Sequence, residues 1–332
     1  MQYSTFAAID IGSYDVILEI FEISKKQGIR SVDKICHRME LGKDTYTLGK
    51  IRPEMEEELC RVLADFVRIM EGYRVDAYRA MASSAISEAA NSLYVLGKIR
   101  QLTGLSVTVL SNSEQRFLGY KALAAMEDNF NKVIEKGTAI LDLDGGSFQI
   151  SLFDKDALVT TQNIRMGSLR VRERLAGIQS ETEHYEEMVE ELIWNEVSSF
   201  KKMYLKDRKI ENIMLIGDVF TDSVYQNIEE KTTKIISREN FNTWYEKIIR
   251  QSPMELAVKL GIPLENASLM YPSAVIYKCL IDMMEAEHVW IPGVHMTRGI
   301  AYEYAEQMKL QKGSHNFEND ILMAAKNIGI RY

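Results

Sequence analysis

The chain has 332 residues, of which 46% are hydrophobic and 27% charged, a composition typical of a globular protein with room for two domains. Its formal net charge of −8 argues against a general nucleic-acid or membrane-surface binder, because such partners require a basic face. No apolar run could span a bilayer, no signal-peptide pattern opens the chain, and the three cysteines lie far apart. We therefore expect a cytoplasmic protein with reduced thiols.

The predicted elements form a unit that occurs twice. Residues 5–24 contain two strand-like runs separated at Asp10-Ile11-Gly12-Ser13, which predicts a hairpin with a glycine turn. A third strand, a helix opened by Pro53 and alternating strands and helices complete a β-β-β-α-β-α-β-α unit by about residue 126. The pattern restarts at Thr138, where two strands flank a second glycine-rich turn at Asp142–Ser147. The sequence therefore predicts an internal repeat of two α/β domains, each with a mixed sheet of about five strands.

The two glycine turns are candidate phosphate sites. A tight glycine turn presents backbone N–H groups to an anion with no Cβ in the way. The predicted phosphate-binding residues are the glycines and serines of both turns: Gly12, Ser13, Gly145, Gly146 and Ser147. An aspartate at the end of the preceding strand can hold Mg²⁺ against the phosphate, which makes Asp10 and Asp142 candidate Mg²⁺ ligands. The alternative is that both aspartates only cap amides of their own turns.

Successive segments of the chain resemble the blocks of a known family. They occur in this order: AAIDIGS, RAMASSAISEAAN, LTGLSVTVLSNSEQ, AILDLDGGS and RMGSLRVRERL. The series resembles the exopolyphosphatase/guanosine pentaphosphate phosphatase (Ppx/GppA) family, whose corresponding blocks include AAIDLGSNS, DIGGGSTE and PLGAVRLTERF. The resemblance implies an α/β fold of two RNase H-like domains, the superfold of actin-like ATPases, acetate and sugar kinases and Hsp70, with an interdomain cleft. It also implies Mg²⁺-dependent removal of terminal phosphates from inorganic polyphosphate, or of the 5′-phosphate from guanosine pentaphosphate.

The resemblance also sets the expected domain ranges. Residues 1–126 are expected to form the first RNase H-like domain and residues 130–310 the second. Residues 314–332 resemble the opening helix of the helical HD-like domain found in longer family members. The sequence leaves open whether the protein continues into that domain.

The chain departs from the family pattern where the resemblance places the chemistry. Gln115 stands at the position of the glutamate that activates the attacking water, and Ser87 stands at that of a phosphate-binding arginine. A glutamine accepts no proton from water, so the rate is expected to fall by roughly 10²–10⁴-fold at Gln115. A serine neutralises no phosphoryl charge, so the rate is expected to fall by a further factor of roughly 10²–10³ at Ser87. Glu114 could replace the base only if its helix rotated, because neighbouring helical positions point about 100° apart.

Further departures lie in the turns. Tyr14 replaces an asparagine, Gln149 replaces a glutamate, and Asp144 places a negative charge where an anion should sit. The later glycine-rich block GASGT reads Gly217-Asp218-Val219-Phe220-Thr221. An ATP-dependent sugar or acyl kinase of the same superfold would need a glycine turn here to bind adenosine. The replacement of these glycines disfavours that hypothesis.

The sequence is best interpreted as a degenerate family member that binds inorganic polyphosphate or a guanine nucleotide with little or no hydrolysis. The alternative is an active exopolyphosphatase or guanosine pentaphosphate phosphatase that uses Mg²⁺ and altered residues. No nucleic-acid or membrane partner is expected. The sequence does not determine whether the chain binds a protein partner or forms a homodimer.

Overall fold

The computed structural model describes residues 3–126, 130–176, 185–206, 208–227, 235–311 and 317. These residues fall into two units. The first unit holds the chain up to Ala125 and the stretch that begins at His295, and the second begins at Met126 and runs to Val294. None of the described helices is long and apolar enough to cross a membrane. All three cysteines are free thiols, as the sequence predicted.

The first unit is built on a five-stranded sheet, whose strands are β1 (Ser4–Ile11), β2 (Asp15–Ser24), β3 (Gly28–Arg38), β4 (Ala77–Ala82) and β5 (Val107–Val109). Their order across the sheet is β3-β2-β1-β4-β5. β1, β2 and β3 pair antiparallel, whereas β1, β4 and β5 run parallel. The carboxyl ends of these parallel strands therefore meet at one edge of the sheet, where ligands bind in open α/β sheets.

The helices that follow in this unit are α1 (Leu41–Leu48), α2 (Pro53–Gly72), α3 (Ser84–Ser87), α4 (Ser92–Thr103) and α5 (Asn112–Met126). α2 confirms the helix predicted from Pro53, whose missing N–H costs nothing in a first turn. Its apolar side chains Leu59, Leu63 and Phe66 are buried against the sheet strands in one core cluster. α4 ends at Gly104, which adopts the left-handed conformation that favours glycine.

The second unit contains β6 (Thr138–Leu143), β7 (Phe148–Asp154), β8 (Ala157–Ile164), β9 (Asn212–Ile216), β10 (Ile235–Ser237) and β11 (His288–Trp290). They form a six-stranded sheet in the order β10-β11-β9-β6-β7-β8. From the β8 end, the first five strands repeat the order and directions of the first sheet. The predicted repeat is confirmed, but five strands is wrong for this sheet, because β10 adds an antiparallel edge strand.

The helices of the second unit are α6 (Phe130–Ile134), α7 (Ser168–Leu175), α8 (Tyr185–Phe200), α9 (Val219–Asn227), α10 (Arg238–Ile249), α11 (Pro253–Leu260) and α12 (Leu264–Met284). α8 continues into a π-helix over Lys201–Leu205. α12 packs against α7 to α11 and is the most buried helix described in this unit. It therefore forms the centre of the helical layer in this unit.

The last described helix, α13 (Met296–Gln307), returns the chain to the first unit. It packs on β1 and β2, where the rings of Phe6 and Tyr304 stack with centroids 4.2 Å apart. Thr297 also donates a hydrogen bond of 2.5 Å to the buried carboxylate of Glu19. The predicted range 130–310 assigned this segment to the second domain, whereas its contacts are with the first sheet. The helix predicted at 314–332 lies outside the described residues, apart from Phe317.

Candidate functional site

The two predicted aspartates occupy equivalent places in the two units. Asp10 is the penultimate residue of β1 and pairs with residues of β2 and β4. Asp142 is the penultimate residue of β6 and pairs with residues of β7 and β9. Each therefore lies at the edge of its sheet where parallel strands end.

The turns that follow these strands share one backbone hydrogen bond. The N–H of Gly12 donates to the carbonyl of Asp15 at 2.9 Å, and the N–H of Asp144 donates to the carbonyl of Ser147, also at 2.9 Å. The two turns thus correspond residue by residue, and Asp144 stands where the first turn has Gly12. The structure places the predicted phosphate-binding residues of each unit within one such turn.

The first turn is tied to α1 and to the start of α3. The N–H of Gly42 donates to the carbonyl of Ser13 at 2.7 Å. The buried Ser13 hydroxyl lies 2.7 Å from the hydroxyl of Tyr46, which lies 2.8 Å from the hydroxyl of Ser84. Tyr46 was not among the residues predicted from the sequence, because only tertiary packing brings α1 beside this turn. The Ser13 hydroxyl is therefore part of an internal network, which a phosphate would have to share or break.

Three other predicted residues lie beyond the carboxyl ends of β4 and β5. Ser87, at the end of α3, is exposed, whereas Gln115, in the first turn of α5, is buried with 8% exposure. Glu114 forms a capping box, because its carboxylate accepts hydrogen bonds from the N–H and the hydroxyl of Ser111 at 2.8 and 2.7 Å. These bonds hold the pKa of Glu114 below its ordinary value and so weaken it as a base. The Ser-x-x-Glu pattern in the sequence could have revealed this structural role.

The second turn is held through its carbonyl groups by the start of α7. The N–H of Ser168 donates to the carbonyl of Asp144 at 3.2 Å. The N–H of Arg170 donates to the carbonyl of Gly145 at 2.9 Å, and its Nε donates to the carbonyl of Gly146 at 2.8 Å. Three consecutive carbonyl groups of the turn therefore point toward α7.

This arrangement determines where the amides of the turn point. In a trans peptide the N–H points opposite to the carbonyl of the same peptide plane. The N–H groups of Gly145, Gly146 and Ser147 therefore point away from α7. The amides of Gly146 and Ser147 donate no hydrogen bond to any residue that the structure describes. Consecutive amides on one side of a turn form a concavity that suits an anion.

Gly167 allows α7 to approach the second turn, and its role was not recognised in the sequence. A Cβ at this position would lie 2.2 Å from the carbonyl oxygen of Asp144 and 2.4 Å from the carbonyl carbon of Gly145. No L side chain fits there without a backbone shift. The one signal for this role in the sequence was that Gly167 lies within RMGSLRVRERL, a block that resembles the family pattern.

Gly167→Ala should displace α7 and lower the free energy of unfolding by about 1–3 kcal/mol, because the added methyl group meets backbone atoms. Urea unfolding followed by circular dichroism measures this loss. Gly97→Ala is the matched control, since an added Cβ at Gly97 in α4 meets nothing within 4 Å. Equal stability of the two variants would contradict the close approach of α7.

A third glycine brings another loop next to Asp142. Gly217 follows β9 with a φ of 103°, and a Cβ there would lie 2.7 Å from Oδ1 of Asp142 and from the carbonyl oxygen of Leu143. The next residue, Asp218, is buried and caps α9 by accepting a hydrogen bond of 3.2 Å from the N–H of Thr221. Burial raises the pKa of Asp218 to about 7, although its hydrogen bonds act in the opposite direction. This loop forms part of a packed core in the second unit.

The carboxylates of Asp10 and Asp142 have the oxygen chemistry that Mg²⁺ prefers, so each turn fits one ligand of such an ion. Within the described ranges, no group of three or more histidine, cysteine, aspartate or glutamate side chains could hold a metal ion. The Mg²⁺ site and the common cleft for the two turns therefore stay predictions from the sequence.

Comparison with known proteins identifies a family pattern over most of the chain. The model of the Ppx/GppA phosphatase family matches residues 19–308. The bifunctional 3-dehydroquinate synthase/phosphatase of Fusobacterium nucleatum is 21% identical over 238 residues, which cover 68% of this chain and 34% of that protein. Exopolyphosphatase 1 of Mycobacterium leprae is 25% identical over 144 residues, or 43% of this chain and 41% of that protein. The aligned region thus spans less than half the length of either relative.

Solved structures resemble the whole chain more fully. An Aquifex aeolicus member of the Ppx/GppA family is 18% identical with a TM-score of 0.74, covering 92% of this chain and 99% of that chain. An exopolyphosphatase from Cytophaga hutchinsonii is 16% identical with a TM-score of 0.82, covering 92% of this chain and 98% of that chain. At such identities the likeness shows the fold, which consists of two RNase H-like domains.

Proposed function

The chain belongs to the Ppx/GppA phosphatase family, and on that premise we propose that it binds a phosphorylated ligand with little or no hydrolysis. Family membership supports an exopolyphosphatase-type function. The proposed ligand is inorganic polyphosphate or a guanine nucleotide, and the proposed location is cytoplasmic. The observation that carries the proposal is the identity and bonding of three residues, which are Gln115 at the expected water-activating position, its chain neighbour Glu114, and Ser87 at the expected arginine position.

The loss of a general base is supported by two neighbouring side chains. Gln115, at the position of the family's glutamate, is an amide that can orient water but accepts no proton from it. Glu114, the residue directly before Gln115 in the sequence, has a carboxylate, but Ser111 holds it in the capping box and its pKa is lowered. Rotating Glu114 toward a substrate would break both hydrogen bonds. Neither residue therefore supplies a base of the expected kind.

Retention of phosphate binding is supported by the second turn. The amides of Gly146 and Ser147 point to one side because α7 holds the carbonyl groups before them. Backbone amides form a local anion site, so the net negative charge of the chain does not by itself exclude phosphate binding. If a divalent ion takes part, Asp142 would hold it beside this turn, and Asp10 would do so beside the first. Mg²⁺ would neutralise phosphate charge there.

Calorimetry tests the proposed binding. Titration with tripolyphosphate, pyrophosphate and guanosine nucleotides in the presence of Mg²⁺ should reveal at least one ligand with a dissociation constant of roughly 10 μM–1 mM. Gly167→Ala should weaken this binding, because it disturbs the amides of the second turn, whereas Gly97→Ala should not. If none of these titrations produces heat, phosphate binding is wrong and a role in binding a protein partner replaces it.

The second candidate function is active phosphoanhydride hydrolysis. It is favoured by the two glycine turns and their aspartates, which keep equivalent places in the two units. Such an enzyme would need a water-activating group other than Gln115 and Glu114. Phosphate release from polyphosphate distinguishes this candidate from the proposed function.

A further inference from the structure

The second turn contains an anionic group of its own. Oδ1 of Asp144 accepts a hydrogen bond of 2.6 Å from the N–H of Gly145. That N–H is the first of the consecutive amides that point away from α7, because the carbonyl of Asp144 accepts from Ser168 on the other side. A carboxylate therefore already binds one amide of the predicted anion site.

The first turn has no carboxylate at the equivalent position, and its own carboxylate, Asp15, is paired with the guanidinium of Arg38 at 2.8 Å. Its equivalent residue is Gly12, which shares with Asp144 the backbone hydrogen bond that closes the turn. The side chain of Asp144 is thus an addition to a turn whose backbone forms without it. Asp144 also has no positive φ, so exchanging its side chain creates no strain of the left-handed backbone conformation.

We propose that the carboxylate of Asp144 is an internal ligand that an external phosphate group must displace from the amide of Gly145, so that Asp144 lowers the affinity of the turn for phosphate. This inference rests on the proposed function, because it concerns the ligand of the same turn. The side chain of Asp144 is half-buried and not enclosed in the core, and displacing it frees the amide of Gly145. The turn then binds an oxyanion with three amides in place of two.

Two costs oppose an external anion while Asp144 is present. The anion must break a hydrogen bond from an amide to a charged acceptor, a type of bond stronger than one between neutral groups. The displaced carboxylate then stays near the phosphate as a like charge. Both costs lower the affinity of the turn for an external phosphate group while Asp144 is present.

The test compares the affinity of three variants for tripolyphosphate without metal by calorimetry. Asp144→Ala, which removes the internal ligand, should bind roughly 10–100-fold more tightly than the unmodified protein. Asp144→Asn, which keeps an acceptor but loses the charge, should give a smaller increase. Asp65→Ala removes an exposed carboxylate from α2 in the first unit and is the control for net charge. It should change the affinity by less than about twofold.

The outcomes separate this inference from the function on which it rests. Equal affinities of the unmodified protein and Asp144→Ala would overturn the inference and leave phosphate binding intact. If neither protein binds tripolyphosphate, pyrophosphate or guanosine nucleotides with or without Mg²⁺, the proposed function is overturned and the inference with it. Thermal unfolding of each variant establishes that it is folded, and Asp144→Asn supplies the comparison should Asp144→Ala not fold.

Discussion

The unmodified protein is expected to release phosphate from long-chain polyphosphate no faster than the uncatalysed background, with Mg²⁺ or Mn²⁺ present. Phosphoryl transfer depends on positioning, charge neutralisation and an oriented water, and the protein supplies little covalent chemistry. Replacement of the family's glutamate by Gln115 and of its arginine by Ser87 together removes roughly 10⁴–10⁷-fold of rate, or about 5–10 kcal/mol of barrier stabilisation. Such residues act as a unit, so the lower end of that range is the expected loss.

A malachite-green assay of phosphate release measures this result. Gln115→Glu alone should recover little activity, because Ser87 still leaves phosphoryl charge unneutralised and Asp144 still opposes the anion. The double variant Gln115→Glu, Ser87→Arg should recover more, and adding Asp144→Gly should recover the most. Robust Mg²⁺-dependent release by the unmodified protein that disappears in Asp142→Ala would contradict the proposed loss of hydrolysis and favour an active exopolyphosphatase.

The second large effect concerns the stability of the second unit, which should fall as the pH rises through about 7. Burial is the main reason that the pKa of Asp218 is raised from the ordinary 3.8 to about 7, with a smaller contribution from the nearby Asp222, while hydrogen bonds from the N–H of Thr221 and the hydroxyl of Tyr277 oppose the rise. The folded state holds the proton of Asp218 more tightly than the unfolded state does. The contribution of protonated Asp218 to the free energy of unfolding is therefore fully present below pH 3.8 and is lost as the pH rises through about 7. The full difference corresponds to about 4 kcal/mol of unfolding free energy.

Urea unfolding between pH 4.5 and 8.5, monitored by circular dichroism, measures this dependence. Asp218→Asn keeps the acceptor for the N–H of Thr221 but has no proton to lose. It should therefore be less sensitive to pH and more stable than the unmodified protein at pH 8.5. Asp65→Asn, which changes an exposed carboxyl group in α2, should follow the unmodified protein. Parallel curves for the unmodified protein and Asp218→Asn would show that Asp218 is not the titrating group.

The sequence by itself determined the repeated fold and the places of its turns. Strand alternation around Gly12 and Gly145 identified the two hairpins, and the signals that open and close α2 and α4 are local to the chain. The order of the sequence blocks identified the family that the family model confirms over residues 19–308. These features depend on backbone propensity and on residues close together in the chain, which a sequence displays directly.

Other features were decided only by tertiary structure. α13 packs on the first sheet, although the two are far apart in the chain. The sequence did not predict this contact, because no local pattern determines which sheet a buried helix face covers. The extra strand β10 was missed for a related reason, since three residues at a sheet edge carry almost no periodic signal.

The chemistry of the turns depends on the same kind of contact. The sequence showed Asp144 as a charge near an anion site, but the orientation of the amides follows from the approach of α7 to the turn. That approach depends on Gly167, where any Cβ would meet the backbone of the turn. Likewise, Glu114 differs from a free carboxylate only through its hydrogen bonds to Ser111. The sequence therefore showed which residue types stand in the turns, whereas packing determined their hydrogen-bond partners and, through these, their charge and reactivity.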